Sequence, residues 1–248
     1  MKLTELVGMI DAQLQPWQFK DYAPNGLQVE GKEEVKTLVT GVTASMALID
    51  AAIASQADAI LVHHGYFWKG EDARVVGMKR ARLAKLLAHG ISLLAYHLPL
   101  DAHPVLGNNA CLAEVLGFAV AGQCGEQNLL WHGSVDQALT AQELTQRISS
   151  RLGRDAILLG EASWPVERVA WCTGGAQGFF DDAIALGVQA FITGEVSEQN
   201  YHMAHERGVA FIAAGHHATE RYGIQALGEW IAGNAHVKVK FVDVFNPV

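Results

Sequence analysis

Two adjacent histidines close a short apolar run, Ala59-Ile60-Leu61-Val62-His63-His64-Gly65. The run has the length and composition of a buried strand. Side chains alternate faces along a strand, so neighbouring imidazoles cannot both pack into one face of a sheet. At a strand's carboxyl end each imidazole can turn to its own target, and open α/β sheets place their ligand sites at those ends. The same chemistry recurs twice. Strand-like Ile91-Ser92-Leu93-Leu94-Ala95-Tyr96 runs into His97, with Asp101 four residues on, and Ala210-Phe211-Ile212-Ala213-Ala214 runs into Gly215 and His216, with Glu220 four residues on. Imidazole and carboxylate together bind borderline divalent metals such as Zn, Mn, Fe, Co or Ni. His63, His64, Asp101, His216 and Glu220 are more ligands than one open tetrahedral site uses, and the count suits two ions about 3.5–4 Å apart with a carboxylate between them. In that arrangement His63 and His64 serve different ions, Glu220 bridges and Asp101 is terminal. His97 and Glu195 then stand beside the metals or face the substrate, and Glu195 positions or deprotonates a metal-bound water.

Taken singly, each of these residues has a plainer reading. An isolated His-His is a surface loop pair, Asp101 caps a turn, and Glu220 is a solvated helix residue paired with Arg221 or His217. The repetition of histidine and acid at equivalent strand ends favours the site. His103, His202, His205 and His217 read as polar loop or helix residues, and His89, His132 and His236 receive no role. Trp68 and Lys69 suit either an anionic substrate or a subunit contact. The stretch Thr173-Gly174-Gly175-Ala176-Gln177-Gly178 offers backbone amides to a phosphate, but lacks the Lys-Ser/Thr ending of a P-loop.

The elements that must position these groups form an α/β pattern. Apolar spacing predicts an amphipathic helix over 3–14, and strand, helix and strand over 37–42, 45–55 and 59–62 make a β-α-β unit with a right-handed crossover. A basic helix over 78–89, stopped by Gly90, precedes the strand that leads to His97. The prolines at 99 and 104 predict a loop without regular helix over 97–104. Helix is expected from 108 to 116 and from 141 to 152 behind a Thr140 cap, with strands at 129–131, 156–159 and 169–172. Residues 183–192 match residues 52–61 in register, and 207–214 parallel 89–96. Two similar α/β lobes related by internal duplication are therefore expected, with the metal site in the cleft between them. The expected boundaries are 1–122 for the first lobe, 123–164 for a connecting module and 165–248 for the second.

Composition narrows the function classes. The chain has 248 residues, half of them hydrophobic, and a net charge of -8 without long charge runs. Such a surface does not bind nucleic acid by neutralising phosphates. Three cysteines without metal or redox spacing read as small core residues of a reducing cytosol. The first residues show no signal-peptide pattern and no stretch reaches membrane-spanning length, so a cytoplasmic protein is expected.

Five motifs in order resemble a known family: Asn25-Gly26-Leu27-Gln28-Val29-Glu30-Gly31, Val62-His63-His64-Gly65, the segment from His97 to Asp101, Ile192-Thr193-Gly194-Glu195, and Gly215-His216-His217-Ala218-Thr219-Glu220. They are similar to the Nif-three-like dinuclear metal-binding family, also labelled GTP cyclohydrolase type-two homologues. The resemblance implies the same five metal ligands, two similar lobes with the metals between them, and a ring-shaped homohexamer. It also implies the compact form without an inserted domain. The segment Val196-Ser197-Glu198-Gln199-Asn200-Tyr201-His202 departs from the shorter, aspartate-containing version common among relatives. A dinuclear hydrolase acting on a nucleotide or purine-like ring through a metal-bound hydroxide is the leading expectation. A metal-dependent phosphoesterase and a non-catalytic metal-binding or regulatory ring are the alternatives.

Overall fold

The computed structural model describes residues 1–248. In chain order the elements are α1 Leu3–Leu14, β1 Gly26–Val29, β2 Thr37–Thr43, α2 Met46–Ala54, β3 Ala59–His64, α3 Gly77–His89, β4 Ser92–Ala95, α4 Leu98–Ala102, α5 Asn108–Leu116, β5 Ala119–Cys124 and β6 Leu130–Thr140. They continue as α6 Ala141–Leu152, β7 Ile157–Leu159, β8 Pro165–Trp171, α7 Phe180–Ala185, β9 Ala190–Thr193, α8 Glu198–Arg207, β10 Ala210–Ala213, α9 His216–Asn234 and β11 Lys238–Phe241. The fold is mixed α/β with two sheets, as expected. No helix is long and apolar enough to cross a membrane.

The chain divides into two compact units, Met1–Gly107 with Gly223–Phe245, and Asn108–Tyr222 with Asn246–Val248. This departs from the expected boundaries at 122 and 164. Residues 123–164 are not a connecting module, because β6 pairs antiparallel with both β5 and β8 and so lies inside the second unit's sheet. Its polar, glycine-containing sequence reads weakly because the alternation of buried Trp131, Gly133 and Val135 stops where the pairing with β8 shifts register, leaving Asp136, Gln137 and Ala138 exposed in succession.

In the first unit the sheet order is β1-β4-β3-β2-β11. Strands β2, β3 and β4 are mutually parallel, and β1 pairs antiparallel with β4. Alternation along these strands gives the sheet two buried faces. Leu38, Val42, Leu61 and Leu94 pack with α1 residues Leu6 and Ile10 and with Ile224 and Leu227 of α9. Val39, Ile60, Val62 and Leu93 pack on the other side with Leu48, Ile49, Leu83 and Leu86. Each such fully buried side chain is worth about 1.5–3 kcal/mol relative to exposure. Ser45 caps α2 by accepting from the Leu48 amide at 3.2 Å, as its position before an apolar helix predicts.

In the second unit the order is β5-β6-β8-β9-β10-β7. Strands β8, β9 and β10 are parallel and β7 pairs antiparallel with β10. Thr140 and Glu143 close a capping box at the start of α6. The core gathers Trp131, Trp171, Leu144, Ile148, Ile192 and Ile212 on one side of the sheet. On the other, Phe180, Phe191 and Phe211 meet with ring centroids 5.0–5.9 Å apart.

One expected loop is a helix. Residues 98–102 form α4 despite Pro99, because proline sits in the first turn, where its missing N–H has no intrahelical partner to lose. Three strands had no strong sequence signal: β1 and β11 are four-residue edge strands, and β5 is largely exposed. Edge strands need no continuous apolar run.

Candidate metal-binding sites

Strand β3 runs through both histidines instead of stopping before them. His63 continues the Leu61 face and is fully buried, while His64 continues the Val62 face and is half-buried. At the strand end the two rings nonetheless turn toward each other, with centroids 4.5 Å apart. His63 donates through Nδ1 to the Tyr96 carbonyl at 3.0 Å, which leaves Nε2 as its lone-pair nitrogen. That Nε2 lies 3.4 Å from Oδ1 of Asp101, a buried carboxylate on α4. His64 Nδ1 lies 3.2 Å from the Thr43 hydroxyl at the end of β2.

His97 follows β4 and stands at the N-terminal cap position of α4, without a capping bond from its side chain. Its Nδ1 donates to Oδ1 of Asp21 at 2.7 Å. Asp21 Oδ2 accepts from the Leu98 amide and from Asn25 Nδ2, both at 2.9 Å, and Asn25 Oδ1 accepts from the His97 amide at 2.7 Å. Burial pushes the Asp21 carboxyl up, but the hydrogen bond and charge of His97 and the donors from Asn25 and Leu98 outweigh it and hold the group at about 2. The His97 ring lies 5.1 Å from that of His63 and 5.8 Å from that of His64, and Trp68 meets it edge-on at 5.0 Å. His63, His64, His97 and Asp101 are thus gathered in the first unit.

The second unit gathers His216, Glu220 and Glu195. His216 and Glu220 lie one turn apart on α9, with Nε2 and Oε2 separated by 3.0 Å. His216 Nδ1 donates to Oε1 of Glu195 at 2.7 Å. Burial lowers the His216 pKa, but Glu220 first and Glu195 second raise it further, to about 9.

The glycine stretch at 173–178 serves this cluster sterically. A Cβ at Gly174 would collide with Oε1 of Glu220, and one at Gly194 would sit 2.6 Å from the His216 Cα. Two of the loop's amides are already committed: Gly174 N donates to Thr219 Oγ1 at 3.0 Å and Ala176 N to Thr193 Oγ1 at 3.3 Å. Glycine here lets α9 approach the loop.

These geometries, a mixed α/β frame with imidazoles and carboxylates at strand ends, agree with what similar proteins show of the frame. A family model described as Duf34/NIF3 (NGG1p interacting factor 3) matches residues 1–247. The chain belongs to the DUF34/NIF3 family. A Yersinia pestis family protein named GTP cyclohydrolase 1 type 2 homolog is 56% identical over 248 residues, with 100% of both chains covered. Its namesake from Escherichia coli K12 is 55% identical over the same span, again with 100% of each chain covered. A solved structure described as protein ybgI, of unknown function, matches at TM-score 0.96 and 54% identity over 100% of both chains. Within this DUF34/NIF3 chain the remaining histidines take ordinary places. His103 Nδ1 accepts from the Val105 and Leu106 amides, and its burial lowers its pKa. His202 and His205 lie on α8 near Glu198 and Glu161. His217 is buried at the start of α9, its amide bonded to the Val248 carbonyl. None of the three cysteines forms a disulfide.

Sequence reasoning passed over Asp21 and Thr219. Asp21 had a signal, since Asp21 and Asn25 flank Pro24 in a turn-rich segment. Thr219 had none beyond lying between His216 and Glu220.

Proposed function

We propose that the protein is a metal-dependent hydrolase acting on a nucleotide or purine-like ring, with His63, His64, Asp101, His216 and Glu220 as donors to two divalent ions. The observation that carries this reading is the hydrogen-bonding geometry of the imidazoles. His63 and His216 each commit Nδ1–H to an oxygen acceptor, so a metal would be taken at Nε2, at His216 in place of the proton that Glu220 and Glu195 hold on the ring at neutral pH. Each of those Nε2 atoms also has a buried carboxylate within 3.4 Å, Asp101 or Glu220. Buried acids beside metal-competent imidazoles fit a divalent cation chemically.

Bound divalent ions would supply Lewis-acid polarisation and a lowered pKa for water. The chain's own residues do the rest. Glu195 holds the His216 ring through Oε1, while its Oε2 accepts a long 3.4 Å hydrogen bond from Gln177 Nε2, so both oxygens of this half-exposed carboxylate are oriented from within the unit. Trp68, edge-on to His97 and 6.0 Å from His64, offers an aromatic wall suited to a heterocycle. The names of the relatives support a purine-ring substrate, and the aromatic wall is compatible with it.

Elemental analysis of gently purified protein beside His64→Ala and Glu220→Ala tests the metal half of the reading. About two ions per chain in the wild type, reduced in both variants, supports it; protein that neither carries nor regains metal overturns it. Turnover screening with the metal found, over nucleotides and phosphoesters with product identification, then separates ring opening from phosphoester cleavage.

A further inference from the structure

We infer that His97 is a metal donor, completing with His63 and His64 a three-imidazole set inside the first unit, and that Asp21 is its positioning residue. This rests on the metal-binding reading above and extends it by a donor and its support. One ligand nitrogen from each of the three rings lies within 4.8 Å of the others. Nitrogens sharing one tetrahedral zinc at 2.0–2.1 Å are about 3.4 Å apart, so ring adjustments of about an ångström bring the set to one ion or to two adjacent ones.

The three rings share a construction. Each Nδ1 faces an oxygen: the Tyr96 carbonyl, the Thr43 hydroxyl and the Asp21 carboxylate. A histidine that binds metal through one nitrogen characteristically gives its other N–H to a carboxylate or carbonyl, which fixes the tautomer and raises the ligand's basicity. His97 has the strongest form of this support, a carboxylate at 2.7 Å. The segment from Asp21 to Asn25 also grips the backbone at His97 and Leu98, so that ring and main chain are fixed together.

The second unit repeats the device. His216 follows its strand as His97 follows β4, holds a carboxylate on Nδ1 at the same 2.7 Å, and precedes an acid by four residues as His97 precedes Asp101. The carboxylates come from unrelated places, Asp21 ahead of β1 and Glu195 after β9. Two different segments thus supply the same contact to the same kind of ring. A loop tie alone would not need it, because the bonds to the Leu98 and His97 amides already fasten residues 21–25.

The test uses the full chain, stripped with a chelator and titrated with Co(II) alone. It reads affinity by competition with zinc, the visible d–d bands, and the hyperfine-shifted exchangeable imidazole N–H signals. With His97 bound, the wild type shows four such signals, from His63, His64, His97 and His216; without it, three. His97→Gln is expected to lose one signal, alter the d–d bands and weaken binding about 100-fold, and Asp21→Asn to weaken it about 10–100-fold with the signal count kept. His103→Gln, a control outside the set, leaves all three readouts unchanged. Three signals in the wild type, or wild-type affinity and bands in His97→Gln, overturns the assignment and leaves the five-ligand reading standing. A wild type that takes up no Co(II) overturns that reading itself. Should His97→Gln fail to fold, the wild-type count and Asp21→Asn decide.

Discussion

The two units share a frame and divide the chemistry. In each, a run of parallel strands, four in the first unit (β4-β3-β2-β11) and three in the second (β8-β9-β10), is flanked by an antiparallel strand that precedes it in the chain, β1 in the first and β7 in the second. Strand β3 ends in His63-His64, where β9 runs into Gly194-Glu195. The first unit is therefore imidazole-rich at its strand ends and the second carboxylate-rich. Their interiors differ in kind as well. Ile49, Ile60 and Leu93 of the first unit occupy the positions that Phe180, Phe191 and Phe211 hold in the second. What the difference teaches is that the backbone frame tolerates wide exchange of side chains. The residues that distinguish the units are those at strand ends and those that support them.

The largest effects should come from the interiors. Phe191→Ala removes the middle of an aromatic trio and is expected to cost about 4 kcal/mol; Ile60→Ala, at the matching place in β3, about 3 kcal/mol. Hydrogen exchange of the β9 and β3 amides under mild urea checks both. A larger loss from Ile60→Ala would overturn this order. Next is Thr219, three residues after His216, where the first unit has buried apolar Leu100 three residues after His97. Thr219→Val keeps the shape but strips the acceptor from the buried Gly174 amide, at an expected cost of about 1–3 kcal/mol. The loop beside Glu220 loosens with it, so exchange of the Gly174 amide should rise and zinc affinity fall. Unchanged exchange would mean that the hydroxyl does not hold the loop.

Strand and helix identity was legible where burial is two-sided or amphipathic: α1, β2, α2, β3, α3 and α6 lie within a residue or two of the expected spans. The frame became illegible where packing is one-sided, as in β5 and β6, or where an edge strand is fixed by a neighbour's backbone, as β1 is by β4. Residues 97–104 were misread because proline's cost was assigned to a helix interior, when Pro99 sits in a first turn. Of the candidate residues, His63, His64, His97 and Asp101 are gathered in one unit and His216, Glu220 and Glu195 in the other. Histidines at strand ends carry a pattern that a sequence displays. Their supporting partners do not: Asp21 is a turn residue by type, and only the tertiary fold reveals that its carboxylate meets His97.

The smallest expected effect isolates a single atom type. Asp58 and Gln189 each stand one residue before a central strand. Asp58 Oδ2 accepts the Lys36 and Thr37 amides at 2.9 and 3.1 Å, and Gln189 Oε1 accepts the Glu167 and Arg168 amides at 3.3 and 2.7 Å. Charge is the difference. Burial raises the Asp58 pKa, but the Lys36 amide, Lys32 and the Thr37 amide together hold it below its ordinary value. A carboxyl with a lowered folded-state pKa stabilises the fold above its unfolded value, and that contribution disappears as pH falls through the folded one. Wild-type stability should therefore drop on acidification through the carboxylate range, by under about 1 kcal/mol from this group because water still reaches it. Asp58→Asn keeps an oxygen acceptor and should flatten that part of the acid limb, while Gln189→Glu should transplant the acid sensitivity to the second unit. Urea midpoints at neutral and acidic pH for the three proteins read it out. Identical acid limbs in all three would mean that the two amides are held by the oxygen's geometry alone, and that the charge at Asp58 belongs to its surface pairing with Lys32.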